Sequence, residues 1–289
     1  MILRSLALAT GLLCLALPGA AAERGGTAPQ RPQRIVSLNL CSDQLVLALA
    51  DRGQIAGLTS NVRDPDMSAA AEAARGLPML RGTSEEVLAA RPDLVIGLPA
   101  RGHPALAPFK TLPFRTLDLQ SAENYASILA SIRQVAQAVG HPARGEALIA
   151  RMEADLARLP RPARAPVAAY YQRRGYLTGS GTLIDDLLVR TGVTNLATRL
   201  GKPALSQMSL EEMVASQPDY LIIESATQKV TDQGTEMLHH PALRSIPRIA
   251  IPQAWTVCGG PAYVLAARAI VAQLGAPRSK SATRLNAPK

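Results

Sequence analysis

One twelve-residue segment occurs twice, 126 residues apart, and it constrains the fold more than any other feature of the chain. Glu85-Glu86-Val87-Leu88-Ala89-Ala90-Arg91-Pro92-Asp93-Leu94-Val95-Ile96 aligns without gaps with Glu211-Glu212-Met213-Val214-Ala215-Ser216-Gln217-Pro218-Asp219-Tyr220-Leu221-Ile222, and six of the twelve positions are identical. Each copy reads as a short helix, a Pro-Asp turn and a buried strand. A proline disfavours helix at the residue before it, and an unbroken apolar run suits a strand covered on both faces. Short apolar runs alternate with helical stretches around both copies. Strands are expected at 35–38, 55–59, 93–97 and 114–119, and again at 167–171, 220–224 and 248–251. Helices are expected over 84–90, 182–191, 210–216 and 261–274, over 42–50 with Ser42 or Asp43 as its cap, and from a Ser121 cap through Val139. Such alternation implies parallel sheets.

Residues 142–159, with Leu148, Met152, Leu156 and Leu159 at helical spacing, form one further helix of about 27 Å. It ends at Pro160-Arg161-Pro162 and separates the two copies. The expected fold class is α/β: two similar lobes with central parallel sheets, joined by a long backbone helix, with a ligand cleft between them. The expected organisation is a signal peptide over 1–22, a flexible leader over 23–33, an N-terminal lobe over 34–141, the linking helix over 142–160, a C-terminal lobe over 161–277 and a basic tail over 278–289.

The net charge of +9 invites a nucleic-acid reading, but its placement argues against one. Residues 1–22 carry +1, 23–34 carry +2 and 278–289 carry +4, which leaves +2 for 35–277. Nucleic-acid binding wants a basic footprint clustered on the fold. Arg4, the apolar run Leu6 to Leu17 and Ala20-Ala21-Ala22 have the order of a cleavable export signal. Cys14 follows Leu12-Leu13, where a lipoprotein site wants a small residue. Export leaves two cysteines, Cys41 and Cys258, in a compartment that permits disulfides.

Motifs of catalysis are missing: there is no Walker loop, G-x-S-x-G, H-E-x-x-H or C-x-x-C. Gly179-Ser180-Gly181 reads as a turn, and His103, His141, His239 and His240 each lie near a proline at an element end. No catalytic residue, metal site or cofactor is expected. Two lobes with a cleft and no catalytic set point to ligand capture.

Four segments then carry a resemblance. Arg34 to Asn39 with the helix after it, Glu85 to Ile96, Leu183 to Ala197 with Gly192 and Asn195, and Trp255 to Pro261 resemble the periplasmic binding proteins of ABC importers for cobalamin and ferric siderophores. The resemblance runs over residues 34–275. It implies a monomeric receptor that binds a metal chelate, a ferric siderophore foremost and cobalamin or haem next, and delivers it to an inner-membrane ABC permease dimer. A chelate-modifying enzyme or a periplasmic sensor on the same scaffold are the alternatives. Met79, Leu98 and Leu205 stand where the cobalamin-binding member has cleft tryptophans, and only Trp255 matches, which weakens cobalamin.

The expected ligand-binding residues are Asn39, Cys41, Asn61, Arg81, Tyr171, Arg173, Trp255 and Cys258. Arg81, Arg101, Arg173 and Arg174 suit anionic groups by bidentate contacts, or are solvated surface. Tyr170, Tyr171 and Tyr176 crowd one segment, and alternation sends Tyr170 and Tyr171 to opposite faces of their strand. Trp255 borders the ligand or packs in the core. Glu85 and Glu211 dock one lobe each onto permease arginines by the resemblance, or complement the helix dipole as Glu86 and Glu212 would. Three readings of Cys41 and Cys258 stay open: independent lining residues, a ligand-facing or redox-sensitive thiol pair, and a standing disulfide.

Overall fold

The structure, a computed structural model, describes residues 31–109 and 111–275. The expected signal peptide, all but the end of the leader, and the basic tail lie outside the described residues. The first lobe contains β1 (Ile35–Ser37), α1 (Leu40–Leu49), β2 (Ile55–Thr59), β3 (Met79–Leu80), α2 (Ser84–Ala89), β4 (Leu94–Gly97), β5 (Arg115–Asp118) and α3 (Tyr125–Ala138). Its five strands are all parallel, in the order β3-β2-β1-β4-β5. α4 (Pro142–Ala157) leads to the second lobe: β6 (Val167–Tyr170), β7 (Tyr176–Thr178), α5 (Leu183–Arg190), β8 (Thr194–Asn195), α6 (Leu196–Arg199), β9 (Leu205–Gln207), α7 (Leu210–Ser216), β10 (Tyr220–Glu224), α8 (Gln233–Glu236), β11 (Arg248–Ile251) and α9 (Tyr263–Leu274). Here the parallel order is β11-β10-β6-β8, and β7 pairs antiparallel with β9.

The repeated segment folds the same way in both lobes. Thr83 and Ser209 cap α2 and α7 by accepting from the Glu86 and Glu212 N–H groups. Val87 and Met213 are fully buried beneath them. Arg91 and Gln217 then take left-handed backbone conformations, φ 45° and 44°, to turn helix into strand. The Asp of each Pro-Asp turn ties that turn to the start of the neighbouring strand. The Asp93 carboxylate accepts from the Gln33 and Arg34 N–H groups at 2.6 and 3.0 Å, and its own N–H donates to Arg34 O. The Asp219 carboxylate accepts from Val167 N–H at 2.9 Å, and its N–H donates to Val167 O. The motif is thus a device for starting a central strand in register.

The strand and helix expectations hold with local corrections. α1 is capped by Asn39, whose side-chain oxygen accepts from Ser42 N–H, so Ser42 and Asp43 lie inside the helix. α3 begins at Tyr125 with Asn124 as its cap, and not at Ser121. In both places an asparagine at the last extended residue reaches the third helical N–H, which a hydroxyl further along cannot. The sequence reading passed over β3, β7, β8 and β9, whose two or three residues are too short to show a period.

The lobes share more than the linking helix. One core cluster contains Ile35, Leu94 and Ile96 from the first sheet together with Tyr170, Ile222 and Ile249 from the second, bridged by residues of α3, α4, α5 and α9. Asp186 of α5 accepts from Tyr125 N–H at 3.2 Å and from the Tyr263 hydroxyl at 2.5 Å, and the rings of Tyr125 and Tyr263 lie 5.3 Å apart. Residues 31–275 accordingly fall within one compact unit. Tyr170 packs in this shared core and Tyr171 in a separate cluster of the second lobe, as strand alternation requires.

Candidate functional site

Parallel sheets bind ligands beyond the carboxyl ends of their strands, where the strand order reverses. Two hollows lie there. One, about 190 Å³, is lined by Cys41 after β1, Leu98 after β4, Leu119 and Gln120 after β5, and Thr256 and Val257. The other, about 300 Å³, is lined by Gln172 and Arg173 after β6, Tyr176, Leu205, Glu224 at the end of β10, and Gln253 after β11. The segment 253–257 serves both hollows, and half-buried Trp255 stands in its middle, packed against the shared core. A larger cavity, about 500 Å³, lies among α3, α4, α5 and α9 and touches no strand end.

Cys41, which lines the first hollow, forms a disulfide with Cys258, with Cα atoms 5.2 Å apart. Of the three readings left open by the sequence, the structure has the standing bond. Cys258 sits on a loop pressed against the first lobe. A Cβ on Gly259 would come within 2.3 Å of the Ala122 Cβ, so only glycine allows that approach. The bond spans 217 residues of chain and anchors the β1–α1 turn to the loop before α9.

The other expected site residues divide. Asn39 lines neither hollow, and its side-chain oxygen is committed to capping α1, with Ser42 N–H at 2.9 Å and the Ser42 hydroxyl at 3.0 Å. Asn61 is exposed in a turn after β2. Tyr171 is a correction: it is fully buried, and its hydroxyl donates to Met208 O at 2.9 Å. Burial, and then the Glu211 and Glu212 charges, push that hydroxyl up to about 12. Tyr176, 37% exposed, is the tyrosine that lines the second hollow. Three of the four arginines carry carboxylate partners: Arg81 with Glu86 at 3.3 Å, Arg101 with Asp118 at 3.6 Å, and Arg173 with Asp232 at 2.6 Å.

Two buried carboxylates stand at the strand ends, and their surroundings differ. Asp43 of α1 accepts from the Thr59 N–H at 3.2 Å and from the Thr59 hydroxyl. Burial still raises it to about 6, against the lowering by its bonds to Thr59 and Ser37. Glu224, 8% exposed, receives one bond, from Gln172 Nε2 at 3.3 Å. Burial, with the Glu224 charge second, lifts the Tyr170 hydroxyl well above its usual range. Sequence reasoning missed Glu224, Gln172 and Gln253. The signal was present: the 126-residue offset sets Glu224, an acid ending a buried apolar strand, against Leu98.

On the outer face, the two copies of the motif differ within themselves. Glu86 is tied to Arg81, accepting its N–H at 2.7 Å, and Glu212 to Lys202 at 2.5 Å. Glu85 and Glu211 are exposed and have no ion pair among the described residues. The Glu211 carboxyl is held below its usual range by backbone and Ser209 hydrogen bonds. Leu88 and Val214, one turn on, are exposed at 43% and 41%. No helix among the described residues is long and apolar enough to cross a membrane.

Comparisons with known proteins agree with this architecture. A vitamin B12-binding protein of Pectobacterium carotovorum is 27% identical over 265 residues, covering 87% of this chain and 92% of the relative. The periplasmic haem-binding protein RhuT of Roseiflexus superposes with a TM-score of 0.66 at 26% identity, over 83% of this chain and 97% of that one. The periplasmic haem-binding protein HutB of Vibrio cholerae gives a TM-score of 0.70 at 21% identity, over 84% and 99% of the two chains. The family model described as "Periplasmic binding protein" matches residues 35–250, which takes in both sheets, the linking helix and both copies of the outer motif, and the chain belongs to that family.

Proposed function

We propose that this protein captures a metal chelate in the cleft at its strand ends and delivers it to a membrane permease of the ABC type. The observation that carries the reading is the pairing of one asymmetric cleft with two matching outward feet. Each foot presents an unpaired glutamate, Glu85 or Glu211, beside a second glutamate that is already neutralised. Helix-dipole complementarity applies equally to both members of each pair, so it gives no reason for one member to stay unpaired. Docking onto arginines of a two-subunit permease does. The relatives, one named for vitamin B12 and one for haem, support a chelate as the ligand. Of the four arginines expected to suit anionic groups, three are engaged by acids of the chain itself. The loop carrying Trp255 borders both hollows, so the single tryptophan reports on occupancy of either.

Titration of the purified protein with haemin, cyanocobalamin and ferric siderophores, followed by visible absorbance and Trp255 emission, tests the reading. Stoichiometric binding at micromolar concentration or below, with the ligand recovered unchanged, is expected for at least one class. Chemical conversion of a chelate on incubation would favour the enzyme reading instead.

A further inference from the structure

The carboxylate of Glu224 has one intramolecular partner among the described residues and keeps access to solvent. It ends the central strand β10, it is 8% exposed, and its one hydrogen bond is the 3.3 Å contact from Gln172. No lysine, arginine or histidine lies within ion-pair distance of it among the described residues. A carboxylate has room for about four donors, so Glu224 has acceptor capacity free for the N–H groups of a ligand. Asp43 shows what a purely structural acid looks like in this molecule, since its donors come from Ser37 and Thr59. The cation lining the same hollow as Glu224, Arg173, is held by Asp232 at 2.6 Å.

The rest of that hollow is built to a pattern. Gln172, which holds Glu224, is itself set by the Thr178 hydroxyl at 3.3 Å. Gln253 adds a side-chain amide with no intramolecular hydrogen bond among the described residues, and Tyr176 and Leu205, 37% and 59% exposed, form an apolar rim. An apolar rim over a floor of one acid and two amides suits a flat ligand with N–H groups at its edge. Ionised carboxylates at that edge would meet Glu224 as like charges.

Resting on the chelate-receptor reading, we infer that this wall sorts chelates by their peripheral groups: Glu224 receives hydrogen bonds from amide or ammonium N–H groups and turns away carboxylates. The test uses matched pairs that differ in those groups. The first pair is dicyanocobinamide against dicyanocobyrinate, the same corrin bearing amides or carboxylates. The second is ferrioxamine B against its N-succinyl derivative, and the third is the bis-amide of haemin against haemin. At pH 7.5 the amide or ammonium member of any pair that binds is expected to bind at least tenfold more tightly, read by Trp255 quenching. Glu224→Gln should reduce that preference below about threefold. Leu205→Lys, at an exposed rim position that leaves the fold alone, should do the same by supplying a cation, and it stands in if Glu224→Gln does not fold. A wild-type protein that binds a pair equally, or prefers the carboxylate, overturns the inference while leaving the receptor reading intact. A preference unchanged in both variants also overturns it. Failure of all six compounds to bind overturns the receptor reading, and the inference with it.

Discussion

The two copies of the twelve-residue motif agree where they face outward and disagree where they lead inward. Outside, each has a hydroxyl cap, a buried residue at the same place, a neutralised second glutamate, an exposed apolar residue and a left-handed turn. Inside, the strand that follows ends in Gly97-Leu98 in the first lobe and in Ile223-Glu224 in the second. A partner that meets both feet on equal terms must itself present two similar surfaces, whereas a ligand held between the lobes meets two different walls. Under the proposed function, the agreement suits a two-subunit permease, and the disagreement is where that reading places ligand choice.

The largest effect is expected from breaking the outward agreement. Reversing both Glu85 and Glu211 to lysine should lower chelate uptake at least a hundredfold in a reconstituted transporter while shifting chelate affinity less than twofold. Each single reversal should fall between, and the two should match. Glu86→Lys and Glu212→Lys serve as controls, because those side chains are already occupied by Arg81 and Lys202. Uptake that survives the double reversal would remove the docking role.

The disulfide is the one covalent tie between the β1–α1 turn of the first lobe and the loop before α9. Closing 217 residues of chain restricts the unfolded state strongly, by about 5 kcal/mol on a chain-entropy argument. The Cys41→Ser, Cys258→Ser protein should therefore melt about 10 °C lower. Two free thiols in denatured, oxidatively prepared wild-type protein would mean that the bond is absent.

Much of this architecture was legible because it repeats or alternates. The motif at 85–96 and 211–222 fixed the two strands it leads to, and apolar runs marked the rest of the central strands. What escaped had no period to show. The strands of two or three residues at Met79, Tyr176, Thr194 and Leu205 take their order from tertiary pairing alone. At the site, residue type misled in proportion to how many roles it serves. Tyr171 has the chemistry of a ligand-facing residue but lies inward, where its hydroxyl ties β6 to Met208. Arg81 and Arg173 look like anion anchors in a list of residues, and their acids, Glu86 and Asp232, become visible only in three dimensions. The cysteines were recognised as a pair, but the loop packing that brings Cys258 to the first lobe needs Gly259 against Ala122.

Asp43 adds a pH dependence to the first lobe. Its pKa in the folded protein, about 6, lies above the ordinary 3.8, so ionisation costs the folded state more than the unfolded one. The associated stability is whole below about pH 3.8 and is lost as pH rises through 6, a span of about 3 kcal/mol by linkage. Asp43→Asn removes the titration. The stability of wild type relative to this variant should therefore grow by about 2–3 kcal/mol between pH 7.5 and pH 4 in urea unfolding. A flat difference across that range would mean that Asp43 is better hydrated than its burial indicates.

The smallest expected effect tests whether the two lobes, alike in construction, also stand or fall together. Asp93→Ala strips two strand-starting N–H groups, those of Gln33 and Arg34, of their acceptor. Asp219→Ala strips the N–H of Val167 of its acceptor, along with a contact to Arg164 whose side chain is 72% exposed and worth little. An acceptor lost from such N–H groups costs about 1–3 kcal/mol, and each single variant should lose at least about 1 kcal/mol. The sites lie in different sheets, so the double variant should lose the sum of the single losses. Because Ile35 and Leu94 belong to the same core cluster as Tyr170 and Ile222, all three variants should unfold in a single transition that fluorescence and circular dichroism report alike. A second transition in the Asp219→Ala protein, with the first lobe still folded, would show that the shared helical layer does not couple the lobes and that the repeat is two independent units side by side.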